Sequence, residues 1–417
     1  MQGEATSFGA TARGQTLASS SARRERLCDA AEFPVVQHCT YLSVCDSTAL
    51  SQRVRAAVDE FLDHVMYWRE TRAVREQRVE GARAKFARLI GADCGDIAIV
   101  KNVSEGINAI ATAIPWHGGD NVVLCADLEH PNNVLPWLHL RRHGVEIRVV
   151  GPVEGAIEPN AIIAAIDQRT RAVTCSSVTF SPGLRTDLEP IGRACRSRGA
   201  LFLVDAVQSA GILPLDVSRD HIDALVTSTA KGLLGLYGCG FLYCRREWAE
   251  SLTPAYLSRP AVELPPERYS ELSGLDFTMR ADARRFEVGA VDYASCYAVD
   301  ASLDLLSEIG APAIEAHVLG LAAQLRAGMA ELGLDVPARA FGSGGSHIVT
   351  VGRLGEGGHG TAADPLLSQL SDHLIRHQVV HTIRRGMLRF AFHLFNSEDD
   401  VDRVLGLTRE VVLRRHG

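Results

Sequence analysis

The chain has 417 residues, 46% hydrophobic and 22% charged, with 43 basic against 50 acidic side chains and a formal net charge of −7. That is enough apolar material for about two domains of ordinary size. With no long run of one sign and no apolar stretch of the ~18–20 residues that cross a bilayer, nucleic acid and membrane are not expected partners.

The opening stretch, Met1 to Arg26, is Ser, Ala, Gly and Arg without an apolar centre, so it does not read as a secretory signal. Residues 1–40 are expected to be a disordered or extended lead-in. The ten cysteines (Cys28, Cys39, Cys45, Cys94, Cys125, Cys175, Cys195, Cys239, Cys244 and Cys296) include no C-x-x-C pair. They read as reduced, mostly buried small hydrophobes of a cytoplasmic protein. Only three of the 43 basic residues are lysine: Lys85, Lys101 and Lys231.

Tyr41-Leu42-Ser43 reads as an extended entry, and Ser51 to Ala92 as helix with apolar positions at helical spacing. Seven apolar, β-branched runs follow: Asp96–Val100, Asn121–Cys125, Val145–Val150, Ala172–Val178, Leu201–Asp205, Ala224–Thr229 and Cys239–Cys244. Their near-continuous apolar character suits strands covered on both faces. Helices are expected between them at Glu105–Ile114, Asn133–His143, Pro159–Ile166 and Leu188–Arg198. The result is an α/β, doubly wound, mainly parallel seven-stranded sheet, in which ligands collect at the strands' carboxyl ends.

The Pro-rich, charged stretch Leu252 to Arg285 reads as a long functional or subunit-contact loop, and a helix is expected from Tyr293 to Glu308. Domain boundaries are placed at 41–300 for a large domain and 301–417 for a smaller C-terminal α+β domain. Phe341-Gly342-Ser343-Gly344-Gly345-Ser346 follows no clear strand and opens no helix, so it reads as a loop rather than a dinucleotide fingerprint. His373, His377 and His381 are four apart, but Val379-Val380 looks strand-like, which takes His381 off the helix and argues against a metal site.

Chemistry concentrates at strand ends. Asp205 closes one buried run, where the plain reading is a helix cap. Lys231 follows the next, in Thr227-Ser228-Thr229-Ala230-Lys231-Gly232, where an unpaired buried ammonium would be very costly. An amine whose pKa is lowered by desolvation is how lysine becomes a carbonyl nucleophile. An acid and an amine on neighbouring strand ends suit pyridoxal 5'-phosphate: the lysine holds the aldehyde and the aspartate pairs with the ring nitrogen. Lys101-Asn102-Val103-Ser104-Glu105-Gly106 offers a helix N-terminus for the phosphate, and Leu128-Glu129-His130-Pro131 offers an aromatic lid. Four strand ends with complementary parts of one site are treated together rather than singly.

With these motifs in order, the chain resembles class V aminotransferase-fold enzymes, the group of cysteine desulfurases, isopenicillin N epimerase and kynureninase. The resemblance runs from Tyr41 to the C-terminus. It rests on Asn102–Asn108, Glu129-His130 and Trp137, Asp205 to Gln208, Ser228–Gly238, Arg285-Phe286-Glu287-Val288-Gly289, and Arg389 with Asn396-Ser397-Glu398-Asp399-Asp400. It implies PLP fold type I and a homodimer. It also implies that Lys231 carries the cofactor, Asp205 meets the ring nitrogen, Gln208 the phenolic oxygen, and His130 stacks on the ring. Val103, Ser104 and Ser228 would hold the phosphate, and Arg389 the substrate carboxylate, for which a planar bidentate donor is suited.

The pattern departs from the desulfurases in several places. No cysteine lies between Tyr297 and Arg389, where their persulfide-forming residue stands, so that chemistry is not expected there. Ala230 replaces the usual histidine before the lysine, Ala290 the threonine sent across the dimer, and Phe180 an asparagine. The leading expectation is a lyase that eliminates from a substituted cysteine in specialised metabolism, with Lys231 as acid and base. Oxygen-dependent decarboxylation with oxidative deamination, epimerisation, transamination and a catalytically silent partner subunit all stay open.

Overall fold

The computed structural model describes residues 24–69, 71–263 and 276–414. All seven apolar runs enter one seven-stranded sheet in the order Ile97–Val100, Gly240–Cys244, Ala224–Ser228, Leu201–Asp205, Thr170–Ser176, Asn121–Leu124, Glu146–Val149. Gly240–Cys244 runs antiparallel to both neighbours, and the other pairings are parallel. Successive residues of one strand feed opposite cores: Phe202 and Val204 one, Leu201 and Leu203 the other. This is why a covered strand shows no polar alternation. The edge strand Glu146–Val149 differs from expectation, with no residue buried, because only one side of it is paired: Glu146 and Val149 are exposed, and Arg148 reaches the Ala165 carbonyl and Asp167.

Helix Val103–Ala113 packs on one face so closely that a side chain at Gly106 would stand 2.9 Å from Val226. On the other face, Phe86 of helix Arg72–Ile90 stacks on Phe241 at 4.3 Å between centroids. The helix expected over Ser51–Ala92 is two, Gln52–Tyr67 and Arg72–Ile90. Trp68 takes a left-handed conformation (φ 52°) and its N–H closes on His64, which ends the first helix. The segment expected as Asn133–His143 begins later, as Leu135–His139 followed by a 3-10 turn, because His130 caps a separate turn over Pro131–Asn133.

Helix Tyr293–Ile309 packs on the two N-terminal helices, and a bend of 81° at Gly310 leads into Ala311–Glu331. That second helix lies on a three-stranded antiparallel sheet ordered Ile348–Val351, Met387–Ala391, Thr382–Arg384. Of the stretch expected as a lead-in, residues 1–23 lie outside the described residues, and Arg24 to Cys39 is neither disordered nor extended but runs through bends and a 3-10 turn at Pro34–Gln37. Leu27 donates to the Leu394 carbonyl at 2.9 Å, and Phe33 is fully buried against Phe395. Of the Leu252–Arg285 loop, residues 264–275 lie outside the described residues. Its flanks pair as an antiparallel ribbon, Val262–Glu263 with Thr278–Met279. The ten cysteines are unpaired, and among the described residues no single helix is long and apolar enough to cross a membrane.

Candidate active site

Two turns bring the acid and the amine together. After strand Leu201–Asp205 the chain turns through Ala210 and Gly211, and after Ala224–Ser228 it turns through Lys231 and Gly232. A Cβ at Gly211 would stand 2.3 Å from the Gly232 carbonyl oxygen, and one at Gly232 would stand 2.4 Å from that of Ala210. Neither turn tolerates a side chain there, and Gly211 also needs its positive φ of 83°. His393 secures the second turn from the small sheet: its Nε2 donates to the Gly232 carbonyl at 2.9 Å, while Nδ1 accepts from Leu394. Burial pushes this imidazole down to about 4, so it remains neutral.

Asp205 is buried and accepts one hydrogen bond, from the Val207 N–H at 2.9 Å. Burial raises its proton affinity, opposed by that bond and by the charge of Lys231. The Lys231 amine has no hydrogen-bond partner among the described residues. Burial, and then the Arg389 guanidinium, lower its pKa, against Cys45, Asp205 and Asp46, which raise it. An amine disfavoured as ammonium is one ready to attack a carbonyl.

Gln208 donates through Nε2 to the Cys45 carbonyl at 3.0 Å, and its Oε1 is buried without a partner. His130 is anchored by the Asn132 N–H, which donates to Nδ1 at 3.1 Å. Its pKa is lowered by burial and by Lys231, Arg389 and Arg384. Behind it, Glu129 accepts from the Ser176 N–H at 2.6 Å and from Asn133 Nδ2 at 2.9 Å, and fixes the start of the lid. Trp137 is fully buried in the second core, beneath the lid rather than within it.

The helix that was expected to meet a phosphate starts at Val103, with Asn102 accepting from the Glu105 N–H at 2.9 Å. Gly240, which pairs with Ser228, lies against this helix start: a Cβ there would be in ordinary contact with the Asn102 backbone at 3.6 Å but only 2.6 Å from the Thr227 carbonyl oxygen of the lysine strand. Ser104 lines an open groove of about 600 Å³ with Asn108, Asn132 and His139, which joins this end to the His130 turn. Ser228 Oγ accepts from the Ala230 N–H at 3.3 Å. Ala290 stands with Lys101 and Glu105 in a narrow crevice beside the same helix start.

Arg389 comes from the small sheet. Its guanidinium is fully buried, donates from Nε to its cross-strand neighbour Thr382 at 3.1 Å and from Nη1 to the Phe180 carbonyl at 2.8 Å. Among the described residues its Nη2 has no partner and no carboxylate touches it. The other quoted motifs are structural. Glu287 holds buried Arg83 at 2.7 Å and accepts from the Ile99 N–H, which braces the edge strand leading to Asn102. Asn396 donates to the Tyr41 carbonyl, and Asp400 accepts from the Ser397 N–H at the start of the last helix. His373, His377 and His381 turn to separate partners (Glu410, the His373 carbonyl and Ser371), and among the described residues no group of metal-binding side chains converges.

The geometry therefore gathers Lys231, Asp205, Gln208, His130 and Arg389 around one site, with the Val103 helix start, Ser104 and Ser228 at one end. Sequence reasoning missed Cys45 and His393. Cys45 is buried in the loop after Tyr41, with its carbonyl on Gln208. Its only signal was its place just past the extended entry.

The family profile of aminotransferase class-V matches residues 40–339. An uncharacterized aminotransferase, YcbU, of Bacillus subtilis (strain 168) is 30% identical over 376 residues, spanning 88% of this chain and 93% of its own. A probable cysteine desulfurase of Methanothermobacter thermautotrophicus is 29% identical over 406 residues, spanning 91% and 96%. Among solved structures, a cystine C–S lyase in complex with its product cysteine persulfide matches with a TM-score of 0.80 at 21% identity over 91% of this chain and 99% of that one. An apo cysteine desulfurase from Thermococcus onnurineus NA1 matches at 0.80 and 23% identity over 92% and 97%.

The chain belongs to the class-V aminotransferase family of enzymes, with the PLP fold type I, and pyridoxal 5'-phosphate is the cofactor of that family. The residues present fit that group. Gln208 Oε1 is a buried polar atom with no partner among the described residues, which a folded chain tolerates only where something else meets it, and beside it stand the Lys231 amine, disfavoured as ammonium by burial, and a buried Asp205 carboxyl that holds a single N–H.

Proposed function

We propose that this enzyme cleaves the C–S bond of a substituted cysteine by β-elimination, giving a thiol, pyruvate and ammonia from the amino acid and water. The observation that carries the reading is Arg389: a fully buried guanidinium beside the Lys231 amine, with one nitrogen unbonded and no acid in contact among the described residues. Such a donor is built for an α-carboxylate. Bound here, pyridoxal phosphate supplies an electron sink at the carbon bearing the substrate's amine.

The chain's own residues do the rest. Lys231 would hold the aldehyde, and its free Nζ would be the base that takes the α-proton and the acid that gives a proton to the leaving sulfur. Asp205, whose proton affinity burial raises, would pair with the ring nitrogen and keep a proton there. Gln208 would meet the phenolic oxygen, and His130 would cover the ring face. Val103 and Ser104 offer helix N–H groups, and Ser228 its hydroxyl, to the phosphate. Arg389 grips the carboxylate. The absence of cysteine between Tyr297 and Arg389 supports elimination over sulfur transfer through that segment. A homodimer is supported by exposed Tyr256, Leu257 and Phe277 flanking the Val262–Glu263 ribbon.

The test is an incubation of the cofactor-loaded enzyme with S-substituted cysteines. Pyruvate formed without oxygen uptake is expected. Carbon dioxide release with oxygen consumption would overturn the reading, and so would failure of borohydride to fix the cofactor on Lys231.

A further inference from the structure

Phe180 sits on the loop that follows strand Thr170–Ser176, and that loop is gripped by the small sheet. Ser346 Oγ donates to the Gly183 carbonyl at 2.6 Å, Thr350 Oγ1 to that of Pro182 at 3.0 Å, and the Arg185 N–H to that of Gly344 at 2.9 Å. Gly183 itself packs so tightly that a Cβ would stand 2.6 Å from Ile348. Four hydrogen bonds, counting the one from Arg389 Nη1 to the Phe180 carbonyl, and the packing of Gly183 on Ile348 thus hold the loop that carries the Phe180 ring. That ring meets the His130 imidazole at 4.8 Å between centroids, the two rings standing T-shaped at 85°. Its face lies 5.1 Å from the Arg389 guanidinium carbon.

One side chain therefore touches both the imidazole that covers the cofactor ring and the guanidinium that binds the carboxylate. The T-shaped contact fixes the tilt of one, and the aromatic face fixes the plane of the other. We infer that Phe180 is the positioning residue that sets the angle between carboxylate and cofactor, and that its ring forms a wall of the subsite for the substrate's sulfur substituent. This rests on the C–S lyase reading above. Thioethers pack favourably against aromatic rings, so the wall favours S-alkyl and S-benzyl cysteine over cysteine itself.

The experiment compares Phe180→Leu, Phe180→Met (similar volume, no ring) and Phe180→Tyr, each loaded with cofactor, using S-benzyl-cysteine and cysteine as probes. In the leucine and methionine variants the cofactor remains fixable by borohydride, KM for S-benzyl-cysteine rises at least ~10-fold with a smaller change in kcat, and the preference over cysteine shrinks. Phe180→Tyr restores both. KM and preference within about twofold of the starting enzyme in both ring-less variants would overturn the inference. A starting enzyme that takes no cofactor would instead overturn the functional reading.

Discussion

Glu129 and Ser176 share two hydrogen bonds on the floor of the site, the serine donating both its N–H and its hydroxyl to the carboxylate. Ser176 pairs in register with Asp205, so the second carboxyl lies nearby. Burial, and then repulsion from Asp205, push Glu129 up to about 7. The lid that carries His130 is thus tied to an acid that is easily kept protonated.

That arrangement has a pH signature. From its ordinary value of 4.5 up to about 7, the folded chain retains a proton on Glu129 that the unfolded chain has released. Stability from this group is therefore full below that window, falls as pH rises through it, and then levels off. The shift corresponds to a loss on the order of 3 kcal/mol. Glu129→Gln carries no such proton, and its stability should depend less on pH. Urea unfolding near pH 5 and pH 8 measures the difference between the two proteins, and equal slopes would refute the assignment.

Arg389→Lys should leave the fold and cofactor capture intact while weakening substrate. A lysine keeps the charge but cannot hold Thr382, the Phe180 carbonyl and a carboxylate at once, as the guanidinium fork does. Loss of a charge-assisted bond is worth about 1.5–3 kcal/mol, or roughly 10–150-fold in KM. The variant also bears on Lys231, since Arg389 lowers the amine's pKa. Replacing it with leucine should move the pH at which the apoprotein captures pyridoxal phosphate upward. Unchanged capture across pH would show that the two cations do not feel each other.

The sheet and the strand-end chemistry were readable because both are local. An apolar run names a strand covered on two faces, and a polar residue just past it names a position at the carboxyl edge. Asp205, Lys231, His130 and the Asn102 helix start all follow that rule. What could not be read depends on partners far along the chain. Glu146–Val149 is an edge only because of the sheet order. Phe33 is buried only because Phe395 arrives more than 300 residues later, and His393 matters only because the small sheet sets it under Gly232. Cys45 looked like any other small apolar residue, since nothing in its neighbours announces that the loop folds over Gln208.

Phe33→Ala tests how firmly the N-terminal segment is held. The ring is fully buried, 4.7 Å from Phe395 between centroids, and it belongs to the main core. Its removal should cost about 3–5 kcal/mol. Because the segment leads straight into the loop of Cys45, cofactor retention should fall as well, which dialysis followed by absorbance would measure. A melting temperature within about a degree of the parent would mean that the segment is not part of the core.

Cys45 separates elimination from sulfur transfer. Its carbonyl holds Gln208 at 3.0 Å, and its side chain is buried within electrostatic range of Lys231 and Arg389. Elimination needs no thiol from the protein, because the leaving sulfur departs with its own substituent. The carbonyl contact survives any change of side chain. Cys45→Ala should therefore form pyruvate at a rate within about threefold of the parent, a change of under 1 kcal/mol in barrier. If the variant instead lost activity by about 100-fold while still binding cofactor, and the parent accumulated a persulfide on Cys45, sulfur would be leaving through this thiol and elimination would be the wrong reaction.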